Sequence, residues 1–200
     1  AQRQAGSALT WHHAGAQALS DGHLRTVQDP LRATGGDTVA VPDDRAPLLD
    51  RVDVLVMGGG TAGASAGIAA GRQGARTLIC EYQPALGGVG TVGMIANYYF
   101  GNRVGFTSEI DSGTRAMGPA NQAPKAASAW NIEWKQRWYQ FANDQAGTTV
   151  WHGAIGCGAL VEGGTVRGVL VAGPHGFGVV ACRAVVDASG NADIAAAAGA

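Results

Sequence analysis

Charge, cysteine and basic excess are all scarce in this chain, and each shortage excludes something. Only 14% of the 200 residues are Asp, Glu, Lys or Arg while 46% are hydrophobic, which is the balance of a chain that folds rather than one that stays disordered. The 14 Lys and Arg against 15 Asp and Glu leave a net charge of -1. That removes the basic field with which nucleic-acid binders displace counterions, and it leaves no polybasic membrane anchor. Cys80, Cys157 and Cys182 stand far apart with no C-x-x-C, so neither a zinc knuckle nor a disulfide framework is expected, and buried free thiols are. No basic region followed by an apolar core opens the chain, so no signal peptide is expected. The first residue is Ala1 rather than Met; cytoplasmic residence is the expectation, with export left open. Residues 54–71 run 18 positions without a charge, the length at which a membrane span is considered, but six glycines within them argue against one.

Glycine is what the chain has in excess. Its 32 copies are about double the usual share of roughly 7%, and they follow no G-x-y period, so they serve turns and close backbone approaches. A length of 200 residues bounds the molecule to one domain, or one domain and a tail. Residues 1–50 are polar and broken by Gly22, Pro30, Gly35, Gly36, Pro42 and Pro47, and read as an irregular extension before a domain over 51–200. His12, His13 and His23 have no partners at ligand spacing, so no metal is expected there.

From Val52 the apolar run Val52, Val54, Leu55, Val56, Met57 suits a strand buried on both faces. Small residues over 61–73 suit a helix lying very close to a sheet, and residues 76–81 read as a second strand. Strand, glycine turn, helix and strand make a βαβ unit, hence a parallel sheet. Residues 84–106 read as long loops around a short helix. A helix is expected over 128–146, capped by Ser128, with Trp130, Trp134, Trp138 and Phe141 turned to the core or forming an aromatic substrate wall. Beyond Gly147, residues 148–161, 165–171, 179–182 and 184–187 read as short strands.

The turn between the first strand and its helix reads GGGTAGASAG, placing glycines at 58, 60 and 63 in a G-x-G-x-x-G pattern, with a fourth at 67. Gly58 allows the sharp turn, Gly60 lets backbone approach a pyrophosphate, and Gly63 lets helix and strand pack closely. Amide donors and the helix dipole at this point favour a diphosphate. No Lys-Ser or Lys-Thr follows, which excludes a P-loop nucleotidase. Glu81, 23 positions after Gly58, is placed to accept hydrogen bonds from a ribose diol and to repel a 2'-phosphate. No serine lies in a G-x-S-x-G elbow, so Ser-His-Asp hydrolysis is rejected. The glycine turn by itself does not separate NAD from FAD.

Three stretches in order, GGGTAGASAGIAAGRQGARTLICEY, LGGVGTVGMI and VVDASGNADIAAAAGA, resemble the FAD-dependent oxidoreductases of the glutathione-reductase-like superfamily, over about residues 51–200. The resemblance implies an α/β fold: a Rossmann-like parallel sheet with an inserted antiparallel β-meander drawn from about residues 148–184. It implies FAD as cofactor, with contacts at Gly58, Gly60, Thr61, Ala62, Gly63, Glu81 and Tyr82. Leu86, Gly87, Gly88 and Thr91 match the flavin-side motif, Ala154 or Ile155 the backbone beside adenine, and Asp187, Ala188, Ser189 and Gly190 the returning strand end. The family's later Gly-Asp segment and substrate domain have no counterpart in these residues, so the chain is expected to be the N-terminal part of a larger flavoprotein, completed by a downstream domain or a second chain. A small-molecule substrate is implied, with Tyr98, Tyr99, Asn102, Arg103 and His152 as candidates to meet substrate or flavin. His152, among apolar strand residues, reads first as a core histidine, and His175 as the tip of a turn. An NAD-dependent dehydrogenase and a non-catalytic nucleotide-binding subunit are the alternatives.

Overall fold

The computed structural model describes residues 10–12, 23–26, 46–120, 129–174 and 176–200. Its strands are β1 (Thr10–His12), β2 (His23–Thr26), β3 (Leu48–Met57), β4 (Thr77–Glu81), β5 (Thr149–His152), β6 (Ile155–Glu162), β7 (Thr165–Gly173) and β8 (Gly176–Asp187). The helices are α1 (Thr61–Arg72), α2 (Phe106–Ala116), α3 (Ile132–Gln145) and α4 (Asp193–Ala198), and a 3-10 turn covers Gly88–Gly90. All eight strands form one sheet in the order β1-β2-β6-β7-β8-β3-β4-β5. One end, β8-β3-β4-β5, is parallel throughout. At the other, β6, β7 and β8 run antiparallel, which is the expected meander.

The long strand β8 joins the two regions. Its residues from Gly176 to Ala181 pair with β7, while those from Val179 to Asp187 pair with β3, so three residues carry partners on both edges. The sequence pattern predicts two short strands here, 179–182 and 184–187, on either side of Arg183. Arg183 instead points out of the sheet, its Nη1 donating to Asp53 Oδ1 at 3.3 Å. The opposite correction applies to residues 148–161, which are two strands. Gly153, at φ +72°, turns the chain out of the parallel sheet after β5 and sends β6 into the meander.

The sheet buries a core on each face. Leu55, Leu78, Val169 and Val180 lie on one side with Ile194 of α4, while Val56, Ile79, Ala64, Ile68, Trp138 and Tyr139 lie on the other. The small residues of α1 explain how close it sits. A Cβ on Gly67 would stand 2.4 Å from Ile79 Cδ1, and one on Gly71 would stand 2.5 Å from the Ala146 carbonyl oxygen. α1 is thereby wedged between β4 and the end of α3.

Several expectations are corrected. α3 starts at Ile132, capped by Asn131, whose Oδ1 accepts from the Trp134 N–H at 3.0 Å; Ser128 lies outside the described residues. Of the aromatic stripe, Trp134 and Trp138 are buried but Phe141 is 51% exposed, and Tyr139 takes the inner position. α2 had no counterpart in the sequence reading, since only Ile110 and Thr114 of its eleven residues are buried. Within residues 1–50, read as irregular, β1 and β2 extend the sheet, and β3 begins at Leu48. No helix among the described residues is long and apolar enough to cross a membrane.

Candidate functional site

The glycine turn leaves β3 at the carboxyl edge of the parallel strands, and each glycine in it meets a different neighbour. Gly58 has φ +96°, its N–H donates to the Cys80 carbonyl at 2.8 Å, and a Cβ there would stand 2.3 Å from the Ala188 oxygen. A Cβ on Gly63 would stand 1.7 Å from the Gly58 oxygen, and one on Gly59 2.4 Å from Leu86 Cδ2. Gly60 is the exception. Its φ of -64° suits any residue, and the nearest atom to a Cβ there is Gly88 Cα at 4.0 Å. Three of the four positions are closed by the protein's own atoms, and the fourth opens onto free space. Gly60 is also the N-cap of α1 and offers no side chain to the helix's first amides, which leaves donors for a ligand. Thr61 and Ala62, the first residues of α1, are exposed beside it.

The second motif lies directly against the first. Gly87 N–H donates to the Gly59 carbonyl at 2.8 Å, Thr61 Oγ1 donates to the Gly87 carbonyl at 3.0 Å, and Gly60 and Gly87 form an isolated parallel bridge. Gly87 and Gly88 hold φ of +103° and +55°. A Cβ on Gly88 would stand 2.9 Å from Gly60 Cα, so the close approach of two bare backbones requires glycine on this side. Thr91 is buried, and its hydroxyl donates to the Leu86 carbonyl at 2.7 Å, holding the turn from within.

Glu81 ends β4 beneath the same loop, 7% exposed. Its Oε2 accepts the Gly59 N–H at 2.5 Å and its Oε1 accepts the Gln83 N–H at 2.6 Å. The Ala154 N–H donates to the Glu81 carbonyl at 3.1 Å, which brings the start of the meander to this edge, and Tyr82 is exposed beside it. The third motif closes the loop from behind, with the Ala188 N–H on the Met57 carbonyl at 2.8 Å. Asp187 accepts from the Ser189 N–H and hydroxyl and from the N–H groups of Ile194 and Ala195, tying Ser189 and Gly190 to the start of α4. Partial burial opposes ionisation of Asp187, but these donors outweigh it and hold its carboxyl below the ordinary range.

The candidate substrate-side residues separate into two groups. Tyr98 donates to Asp111 Oδ1 at 3.0 Å, and the Arg103 guanidinium lies 5.7 Å from the Tyr98 ring centroid and 4.0 Å from Asp111 Oδ2. Burial first, then Asp111, pushes the Tyr98 hydroxyl above its usual range. Tyr99 and Asn102 are exposed on the same loop. His152 is not with them. It pairs with Glu81 across the ends of β4 and β5, and its Nδ1 donates to the Gln83 carbonyl at 2.9 Å. The core-histidine reading is corrected, since the His152 side chain is exposed at the strand end. His175 lies outside the described residues. Gly59, Asp111 and the buried Lys135 of α3 were missed by the sequence reading. Gly59 stood in plain view in the GGG run, whereas nothing in the sequence marks Lys135, set between two buried tryptophans of α3. No group of three metal-ligating side chains is present among the described residues.

The residues present fit a dinucleotide: an open cradle at Gly60, bare amides at a helix start, and a carboxylate at the next strand end. A family profile described as FAD dependent oxidoreductase matches residues 53–200. No curated protein matches the sequence. Among solved structures, a geranylgeranyl bacteriochlorophyll reductase-like protein from Thermoplasma acidophilum superimposes with a TM-score of 0.55 at 23% identity, over 76% of this chain and 42% of that one. THI4 from Thermovibrio ammonificans gives 0.54 at 17% identity, over 74% of this chain and 61% of that one. The myxobacterial chondrochloren halogenase CndH, a FAD-dependent halogenase, gives 0.54 at 18% identity, over 70% and 37%. The chain thus spans less than two thirds of each of these neighbours, and at such identities they establish the fold. With three quarters of its length matched by the family profile, the chain belongs to the FAD-dependent oxidoreductase family, and FAD is its cofactor.

Proposed function

We propose that the protein is an oxidoreductase of a small organic substrate in which residues 58–63 carry the FAD diphosphate, Glu81 the ribose, and Gly87 and Gly88 the flavin side, with the buried Thr91 bracing that turn from within. When bound, FAD supplies the hydride chemistry, and the protein's part is to hold, orient and screen. The observation that supports this reading best is the open space at Gly60, beside three glycines whose Cβ positions are blocked. The α1 N-terminus favours the doubly negative diphosphate by its dipole. Glu81 fixes the loop with one lone pair on each oxygen, leaving the others for ribose hydroxyls, and its charge disfavours a 2'-phosphate.

Tyr98, Asp111 and Arg103 form a polar cluster joined to the flavin-side turn through Trp130, which packs on the Tyr98 ring and donates to the Gly90 carbonyl, and are the proposed substrate-facing group. Tyr99, Phe100 and Val104 are exposed on the same loop. Their exposure supports the further proposal that a downstream domain or a second chain covers this face and completes the substrate site.

The test is cofactor retention by the full-length protein. Gly60→Val should fold as the wild type does yet emerge without the visible absorbance of flavin and take up no added FAD. Equal retention by wild type and variant would remove the diphosphate from this loop. Wild-type protein that neither carries nor binds FAD would sink the reading itself.

A further inference from the structure

Lys135 is 2% exposed and forms no ion pair among the described residues. Lysine is almost never buried without a partner, because desolvating an ammonium is costly. Here an aromatic enclosure takes the partner's place. Nζ lies 3.4 Å from the Trp130 ring centroid and 5.1 Å from that of Tyr98. Both rings are held: Trp130 Nε1 donates to the Gly90 carbonyl at 2.7 Å, and the Tyr98 hydroxyl donates to Asp111. The charge therefore has a fixed position. A Cβ projected from Gly90 would stand 3.6 Å from Lys135 Nζ and 3.8 Å from Thr61 Oγ1, so the ammonium backs onto the 3-10 turn at the start of α1. The same turn meets Gly60, through Gly88, where the cradle opens.

We propose that Lys135 is a cationic positioning residue for the cofactor: its ammonium, fixed beneath the Gly88–Gly90 turn, attracts the negative charge of bound FAD through that turn. The inference rests on the placement of FAD at residues 58–63 and the turn at Gly88. Opposite unit charges facing one another across a single turn of backbone, at an effective dielectric near 20, alter an affinity by about tenfold or more. Attraction of this kind is reciprocal, so FAD binding and protonation of Lys135 are linked.

Burial lowers the Lys135 ammonium to about 8, with Asp111 acting in the opposite sense. The groups facing it are Asp111 from α2, Tyr98 and Arg103 from the loop before α2, and Tyr139 one turn along α3. Burial raises both tyrosines, which keep their protons at pH 9. A change in FAD affinity between pH 7 and 9 that arises in this cluster therefore reports Lys135.

The experiment uses full-length protein freed of flavin, titrated with FAD at pH 7 and pH 9 by fluorescence, and by calorimetry at pH 8.5 in two buffers of different ionisation heat. Wild type should bind about fivefold more weakly at pH 9 than at pH 7, with net proton uptake at pH 8.5. Lys135→Met should bind about tenfold more weakly at pH 7, with no change to pH 9 and no uptake. Lys135→Arg, which keeps its charge at pH 9, should lose the pH dependence while binding tightly, and it decides the matter if the methionine variant does not fold. FAD binding by wild type that is flat with pH and free of proton uptake overturns the role of Lys135 alone, as does an unchanged pH dependence in either variant. Wild type that binds no FAD at any pH overturns the cofactor placement and the inference together.

Discussion

The Gly59 N–H donates to Oε2 of Glu81 at 2.5 Å, joining the middle of the glycine turn to the end of the next strand in the parallel sheet. A Cβ on Gly59 would stand 3.0 Å from Glu81 Cβ, so the close approach that this hydrogen bond needs is open to glycine and closed to larger residues. With Gln83 N–H on the other oxygen, the carboxylate organises both the diphosphate loop and the chain that follows β4. An acidic residue at this position thus has a task in the fold itself in addition to any hydrogen bond it makes with ribose.

Glu81→Gln tests that double task. An amide keeps one acceptor and turns an NH2 toward one of two backbone donors, so a buried N–H is left unpaired at a cost of about 1–3 kcal/mol. Thermal unfolding should report that loss without FAD, and FAD titration should show affinity reduced by about tenfold or more, since each 1.4 kcal/mol is a factor of ten. A variant with unchanged melting temperature and unchanged affinity contradicts both roles.

Gly63→Ala and Gly60→Ala should separate folding from binding. At Gly63 the added methyl would sit on the Gly58 oxygen, so the loop must shift, with destabilisation of about 1–3 kcal/mol typical of overpacking. At Gly60 the methyl meets only Gly88 Cα, at 4.0 Å and without a clash, so the melting temperature without FAD should stay at the wild-type value while FAD affinity falls. Loss of stability in Gly60→Ala comparable to that in Gly63→Ala would show that the space at Gly60 is structural.

Asp187→Asn should carry a pH signature. The donors around Asp187 favour its ionised form, holding its folded-state pKa below the unfolded value near 3.9. A depressed carboxylate contributes stability that is present above the unfolded pKa and fades as pH falls through the folded one. The melting temperature of Asp187→Asn should therefore lie below that of wild type at pH 7 and pH 5, and the gap should narrow below about pH 4. A gap that stays constant down to pH 3 rules out ionisation as its source.

The βαβ unit, the glycine turn and the run of short strands after Gly147 are legible because each depends on local pattern: an apolar run, glycines at fixed offsets, β-branched alternation; the meander and the roles of the other two motifs come from the family resemblance. Where the sequence reading went wrong, long-range geometry decided. Arg183 interrupts an apolar run yet continues β8, because pairing of its neighbours Cys182 and Ala184 with β3 fixes the backbone while the side chain points outward to Asp53. His152 lies on a strand of mixed burial, and its exposure follows from where β5 ends against β4. Lys135 is hidden because α2 and the loop at Tyr98 fold over a helix face that sequence spacing treats as solvated.

The aromatic stripe of α3 supplies a last test of which side chains the core depends on. Spacing of four, four and three placed Trp130, Trp134, Trp138 and Phe141 on one face, but α2 packs across the helix so that Tyr139 replaces Phe141 inside. Trp138 lies 6.3 Å from Phe106 and 5.4 Å from Tyr139 between ring centroids, and a Cβ on Gly113 of α2 would stand 1.7 Å from its Nε1. Gly113 is thus the groove into which the indole of Trp138 fits, and no larger residue could occupy that position with α2 so close. Trp138→Ala should leave a cavity under both helices and cost about 3–5 kcal/mol. Phe141→Ala, on the exposed side, should change stability by no more than about 0.5 kcal/mol. Chemical denaturation of the two variants measures both values, and a Phe141→Ala loss as large as that of Trp138→Ala would restore the stripe that sequence spacing proposed.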